Sequence, residues 1–351
     1  MGSLAKKVLL TGGTGFIASH ILTELLDAGY HVVVTVRTHD KGRQLLESLS
    51  NTGDQAASYV VVEDIAKDGA YDEILQVPAN MEDQAIQSIS DFDLVVHTAS
   101  PYHFNYTDPK TDFLDPAIKG TAGLLASIKA YAPTVKRVVV TSSSATIVTP
   151  PNHPEVYDET SYGSVTWEEA MVPEVTYRAS KIFAERAAFE FVEKEKPNFD
   201  LVTINPPLVF GPKPRHVTDL KALNTSNHII RDLMLGKWKD GGAPIAIPFT
   251  FVDVRDVAFA HRKALELPEV SGHRFFTVAG HFSNKQVAEA IRATHPEFAH
   301  KLPPSDMPDD LPQPIFGFDN SKSRRMLGMT FRDLNTCVGD AVTSMMEQAH
   351  L

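Results

Sequence analysis

Residues 9 to 21 read LLTGGTGFIASHI, which puts Gly12, Gly13 and Gly15 between an apolar run and a helical one. A chain that turns this sharply from strand to helix, with side chains stripped from the turn, has few folds open to it. Gly12 permits the tight turn, Gly15 lets the backbone approach a bulky anion, and small Ala18 lets the helix lie close to the sheet. Ile17, Ile21 and Leu25 then recur at helical spacing, Gly29 is placed to end the helix, and HVVVTVR (31 to 37) supplies a second strand. The unit is βαβ.

The same alternation continues along the chain. KKVLLT (6 to 11), HVVVTVR, YVVVED (59 to 64), DLVVHTAS (93 to 100), RVVVTSS (137 to 143) and DLVTINP (200 to 206) read as strands separated by amphipathic stretches. Near-continuous Val runs suit strands covered on both faces, so the expected fold class is α/β, a Rossmann-type doubly wound parallel sheet with helices on both faces. The 351 residues, 43% hydrophobic and 22% charged, hold two domains or one large domain with an insertion. After Pro206 the order loosens, with prolines at 303, 304, 308, 312 and 314. We expect residues 1–205 to form the dinucleotide-binding domain with the reactive residues. Residues 206–351 should form a smaller, mainly substrate-binding region, interleaved with the first because the stretch around 251–280 returns to a helix and strand pattern.

Charge and cysteine content exclude several classes. A net charge of −11 argues against a nucleic-acid surface. The single cysteine, Cys337, builds neither an internal disulfide nor a zinc site, and it lies in an expected C-terminal helix. There is no run of about 18 apolar residues to span a membrane, and no secretory or myristoylation signal at the start, so the expected place is cytoplasmic. His295 and His300 stand five apart and His97 ends a strand, but no second ligand set accompanies them, and no metal is expected.

Two constellations carry chemistry. The glycine turn sets a pyrophosphate at the N-terminus of the first helix, where unpaired N–H groups and the dipole favour an anion. A NAD site places an acid at the end of the second strand, whereas here that position is Arg37, followed by Lys41. An arginine pairs bidentately with a 2′-phosphate, which favours NADPH over NADH, with Asp40 as a mild counter-signal. The second constellation is YRASK, in which Tyr177 and Lys181 share one helix face at i and i+4. The ammonium favours the phenolate and brings the tyrosine towards use as an acid or base. The fifth strand ends in TSSS, Thr141 to Ser144, at the carboxyl end of the sheet, where at least one of Ser142, Ser143 and Ser144 should face a substrate carbonyl. Asp253, Arg255 and Asp256 are expected to cap and brace a helix.

Taken together, TGGTGFIASHI, VRTHDK, VVEDI, HTASP, VKRVVVTSSSA, YRASKIFAE, NPPLVFGP, FVDVRDVAFAH and DNSKSRRMLG run over nearly the whole chain. The sequence resembles an extended short-chain dehydrogenase/reductase of the dihydroflavonol 4-reductase-like group, and within it the fungal NADPH-dependent methylglyoxal and isovaleraldehyde reductases and related carbonyl reductases. The resemblance implies Ser143, Tyr177 and Lys181 as the catalytic set. It implies Gly12, Gly15, Phe16, Ile17, Arg37, Lys41, Asp64, Ile65, Thr98, Ala99, Ser100 and Pro206 along NADPH, together with Tyr177 and Lys181. Tyr102, Ser143, Ser144, Tyr177 and Leu208 would line the substrate pocket, Ser144 replacing a tyrosine of some relatives and so opening the pocket to bulkier carbonyls. The expected partner is a small carbonyl compound, and the expected assembly is a monomer or homodimer.

Two other readings stand beside the reductase. One is a sugar-nucleotide epimerase or dehydratase of the same extended family, for which Arg37 is an odd choice. The other is a catalytically silent dinucleotide sensor, which has no need of Tyr177 and Lys181.

Overall fold

Alternate residues of the Val-rich runs are apolar on both sides, and the protein uses both. A computed structural model describes residues 5–49, 56–76, 91–100, 108–241 and 249–349. Seven strands, β1 (Lys7–Thr11), β2 (His31–Val36), β3 (Ala57–Val61), β4 (Leu94–His97), β5 (Arg137–Thr141), β7 (Asp200–Asn205) and β10 (Arg274–Phe276), form one sheet in the order β10-β7-β5-β4-β1-β2-β3. All six pairings are parallel. The order reverses between β1 and β4, which opens a crevice at the carboxyl ends of those strands.

One face of the sheet, through Val8, Leu10, Val34 and Val139, packs on α1 (Phe16–Asp27) and α6 (Val254–Glu266). The other, through Leu9, Val33, Val95 and Val138, packs on α3 (Asp115–Tyr131) and α4 (Pro173–Glu195). α2 (His39–Leu49) follows β2. Gly29, at φ +82°, ends the first helix by donating to Leu26 O at 2.9 Å.

The strands stop earlier at their carboxyl ends than their β-branched runs suggest. β3 ends at Val61 rather than 64, β4 at His97 rather than 100, and β5 at Thr141 rather than 143. Past β4 a side chain, Thr11 Oγ1, takes the N–H groups of Thr98 and Ala99, whereas past β3 and β5 Val62 and Ser142 still bond to carbonyls of the neighbouring strand.

A smaller sheet joins β8 (Leu208–Phe210), β9 (Thr250–Asp253) and β11 (Gly280–His281). It shares a core with α5 (Asn227–Met234), α7 (Asn284–Thr294) and α9 (Leu334–Ala349), built on Phe210, Phe251, Phe282, Ile291 and Val338. A short pair, β6 (Val156–Tyr157) with β12 (Gly317–Phe318), and α8 (Ser321–Leu327) complete the longer elements. Strand β9 thus belongs to the small sheet, whereas α6 and β10, which follow it, pack on and join the large one. Asp253 N-caps α6 through Arg255 N–H at 2.8 Å and pairs with the Arg255 side chain. Asp256 is braced by Arg332. Cys337 lies buried in α9. Among the described residues, no helix is long and apolar enough to cross a membrane.

Candidate active site

The glycine turn is shaped by what it touches. Gly12 sits at φ +71°, and a Cβ there would lie 3.1 Å from Ala99 Cα and 3.2 Å from Thr98 Oγ1. Only glycine lets the turn rest on the segment after β4. Gly12 N–H donates to Thr35 Oγ1 at 3.1 Å and Gly13 N–H to Thr35 O at 3.0 Å, which clips the turn to β2. Gly13 is a position that the spacing rule passes over. A Cβ on it would meet Val34 Cβ at 2.6 Å, so the bare backbone is what seats the turn on the sheet. Gly15 is exposed and N-caps α1 without a side chain, so no side chain occupies the helix N-terminus ahead of Phe16 and Ile17.

Beneath the turn lies a resolved proton network. Thr11 Oγ1 accepts the N–H groups of Thr98 and Ala99, each at 3.1 Å, so its own hydrogen goes to His97 Nδ1 at 2.8 Å. The ring proton of His97 is therefore on Nε2, facing Thr121 Oγ1 at 3.4 Å, and Thr121 in turn donates to Ala117 O. Burial, and secondarily the Lys181 ammonium, push His97 down to about 3, so it is neutral at physiological pH. His97 is thus a strut that, through Thr11, holds Thr98 and Ala99 against β1, and its electrostatic contact places Lys181 near the end of β4.

At the far end of the crevice Arg37 is the first residue past β2, exposed, with exposed Lys41 in α2. Asp40, the acid that would speak for NAD, is paired with Arg43 of its own helix. Asp64 accepts the Ala66 N–H at 2.8 Å, and Ile65 lies against Gly120, where a Cβ would be 3.1 Å from Ile65 Cδ1.

The hydroxyl run after β5 divides its labour. Thr141 Oγ1 donates to Nε2 of buried His261 at 2.7 Å, because His261 Nδ1–H is spent on Val257 O, so Thr141 faces away from the crevice. Ser143 Oγ accepts the Ala145 N–H at 3.1 Å and retains its own hydrogen to donate. Ser144 is buried, with its N–H on the carbonyl of Pro206 at 2.8 Å, which ties the ends of β5 and β7 together. Ser142 Oγ is buried with no partner among the described residues. Leu208, half-buried, opens β8.

Tyr177 and Lys181 stand one turn apart on α4, both partly exposed, while Thr176, Ala179, Ser180 and Ile182 around them are buried. Desolvation pulls Lys181 down to about 8, against the opposing charge of Glu185 one turn further on. Tyr102 lies outside the described residues. Among those described, no group of three or more His, Cys, Asp or Glu is placed to hold a metal.

A loop from the second region also reaches the glycine turn. His216 Nε2–H donates to Thr14 O at 3.2 Å, and His20 Nε2–H of α1 donates to Pro212 O at 2.8 Å. Sequence spacing gives no hint of this clasp. An exposed Gly15 at an uncapped helix N-terminus, two exposed cations past β2 and an orphaned Ser142 hydroxyl together fit a phosphorylated dinucleotide.

This fold and this crevice define a dinucleotide-binding member of the extended short-chain type. The sequence profile of the NAD dependent epimerase/dehydratase family matches residues 8–279, and the chain belongs to that family. Over 349 residues it is 90% identical to the ketoreductase azaE of Aspergillus niger, covering 99% of this chain and 100% of that one. It is similar to the crystal structure of yeast methylglyoxal/isovaleraldehyde reductase Gre2 complexed with NADPH, with TM-score 0.87, 33% identity, and 97% and 98% of the two chains covered. The Candida albicans Gre2 complex with NADPH superposes with TM-score 0.88 at 33% identity, over 98% and 99%.

Proposed function

We propose that this protein is an NADPH-dependent carbonyl reductase that converts aldehydes or ketones to alcohols. The observation that carries the reading is that the Ser143 turn, at the end of β5, is tied through Thr146 and Asn205 to Glu185 of α4, the helix that bears Tyr177 and Lys181. Relatives described as a ketoreductase and as NADPH-dependent methylglyoxal reductases support it.

When bound, the nicotinamide supplies the hydride. Ser143, whose Oγ already takes the Ala145 N–H, directs its hydroxyl hydrogen at the carbonyl oxygen and stabilises the charge that grows there. Tyr177 gives its phenolic proton to the same oxygen, and the Lys181 ammonium stabilises the phenolate left behind. Arg37 and Lys41 hold the 2′-phosphate, with Asp40 held away by Arg43. Asp64 and Ile65 flank the adenine. Gly12, Gly15, Phe16 and Ile17 take the pyrophosphate; Thr98, Ala99, Ser100 and Pro206 line the remainder. Ser144 and Leu208 contribute to the substrate pocket, and the resemblance adds Tyr102 to them. In this reading residues 1–205 bind the cofactor and 206–351 mainly bind substrate. The enzyme works in the cytosol, as a monomer or homodimer.

The test is loss of nicotinamide absorbance with NADPH and then NADH against aliphatic and aryl aldehydes, methylglyoxal, diketones and ketoesters. Tyr177→Phe serves as the blank. Turnover favouring NADPH and at least about 100-fold lower in the variant, with NADPH affinity retained, is expected for loss of a general acid. Equal turnover in Tyr177→Phe refutes the assignment. Tight NADPH binding with no carbonyl reduced would favour the sensor.

A further inference from the structure

Behind Ser143 and Lys181 lies a buried polar cluster that the chemistry above does not use. Glu185, one turn past Lys181 on α4, has a side chain 1% exposed, and Arg274 of β10 is 6% exposed. Arg274 Nε lies 2.8 Å from Glu185 Oε1, a contact of charge rather than of an aligned hydrogen bond. Glu185 Oε2 accepts from Asn205 Nδ2 at 2.6 Å. The Asn205 amide orientation is fixed because its Oδ1 accepts from Thr203 Oγ1 at 2.9 Å, and a flipped amide would set oxygen against the carboxylate. Asn205 and Arg274 both donate to Thr146 Oγ1, at 3.0 and 2.9 Å, and that hydroxyl spends its one hydrogen on the Ser143 carbonyl at 2.9 Å. Arg274 is held in turn by the carbonyls of Glu159 and Ser161 and by the Tyr162 ring, whose centroid is 3.7 Å from the guanidinium carbon.

Burying two charges costs several kcal/mol in desolvation, and a well-packed apolar pair would fill the same space at no such cost. A stability role alone therefore accounts poorly for this pair. Its position accounts for it better, because its chain of bonds ends on the Ser143 turn on one side and on the helical turn carrying Lys181 on the other.

We propose that Glu185, anchored by Arg274, is a positioning residue for carbonyl reduction: its buried carboxylate holds the Ser143 turn against α4 and is the counter-charge to Lys181. The proposal rests on the assignment of Ser143, Tyr177 and Lys181 made above. Lys181 interacts with the charge of Glu185 one turn on along its own helix and lies near neutral His97 of β4, with Tyr177 one turn before it and Arg274 behind Glu185 on β10. Glu185 is thus the anion opposing the desolvation that has already brought Lys181 to about 8. Without its charge Lys181 loses its proton at lower pH. Reduction, which needs the ammonium, then fails at lower pH too.

The experiment is the pH profile of kcat from 6 to 9.5 for wild type, Glu185→Gln, Glu185→Asp and the double variant E185Q/R274Q, with saturating NADPH and the carbonyl that the wild type turns over fastest. The alkaline limb of Glu185→Gln should move down by about one pH unit or more, so that kcat at pH 8 drops roughly five-fold or more further than at pH 6. Glu185→Asp, which keeps the charge, should keep the wild-type limb at a lower plateau. The double variant removes both charges and, with Glu185 the nearer to Lys181, reads a smaller shift in the same direction should the single variant fail to fold. A uniform fall at every pH, or an Asp variant whose limb moves as far as that of Gln, overturns the proposal. Because all curves are compared with an active wild type, failure here is distinct from failure of the reductase assignment, which shows as a wild type without turnover.

Discussion

Two glycines two residues apart in one turn, Gly13 and Gly15, should fail in opposite ways when given a methyl group. At Gly13 the new Cβ would lie 2.6, 3.0 and 3.2 Å from Val34 Cβ, Cγ1 and Cγ2, where carbon contacts settle at about 3.5–4.0 Å. Val34 cannot retreat, since it is fully buried and paired with Leu10 on one side and Tyr59 on the other. Overpacking of this kind costs about 1–3 kcal/mol, and at about 1–2 °C per kcal/mol for 351 residues Gly13→Ala should melt a few degrees lower. Gly15, by contrast, has φ −72°, is exposed, and offers a Cβ its closest contact at 3.2 Å on Gly12 O. Gly15→Ala should leave the apo melting temperature within about 1 °C or raise it slightly, because Gly to Ala at a permissive backbone restricts the unfolded chain and stabilises by about 0.4–1 kcal/mol. Its methyl group instead intrudes where the pyrophosphate approaches, so NADPH affinity should fall about ten-fold or more. Thermal melts of both apo variants, with NADPH titration by fluorescence, separate the two effects. A Gly13→Ala protein as stable as wild type would refute the seating of the turn on Val34. A Gly15→Ala protein that binds NADPH normally would remove the pyrophosphate from this helix.

Arg37→Ser should weaken NADPH about 10- to 100-fold while leaving NADH within about two-fold, since a charged hydrogen bond of about 1.5–3 kcal/mol exists only with the 2′-phosphate. Equal losses for both cofactors in calorimetric titration would contradict that placement. Buried His97 and His261 are held to about 3 and about 4, below the 6.5 of an unfolded histidine. The unfolded chain therefore binds their protons first as pH falls. Their contribution is full above about pH 6.5 and shrinks on acidification, by roughly 2 kcal/mol each at pH 5. Melting temperatures from pH 7.5 to 5 should fall less steeply in His261→Asn than in wild type, and parallel curves would count against a buried neutral imidazole.

The features readable from sequence were those that local spacing carries. The Val runs became β1 to β5 and β7, Gly29 ended α1, and Asp253 capped α6, because strand period, helix period and capping chemistry act over a few residues. Tyr177 and Lys181 came to one face for the same reason. What spacing could not give were partners across the fold. The Thr11 bond to His97 spans 86 residues and the Arg274 bond to Thr146 spans 128, and no periodicity connects such positions. Gly13 was visible as a third glycine, but its purpose is set by Val34 on the next strand. Glu185 had a signal of its own, since it stands one turn past Lys181 in YRASKIFAE and a carboxylate on the buried face of the helix needs a partner. The sequence offered no way to choose Arg274 as that partner.

The interleaving of the two regions follows from these long contacts. Ser143 and Lys181 come from the first 205 residues, yet Arg274, which reaches their supporting groups, arrives on β10 after the chain has built β8, α5, β9 and α6. β10 pairs in parallel with β7, Phe276 opposite Asn205, so adding the last strand to the sheet also brings the cation to Glu185. Until that strand docks, Glu185 is a carboxylate without its cation, and desolvating it alone would cost several kcal/mol. Closure of the sheet edge and completion of the site behind Ser143 are therefore one event. A chain truncated before residue 274 should lose the ordered site together with its stability, rather than retain a working cofactor domain.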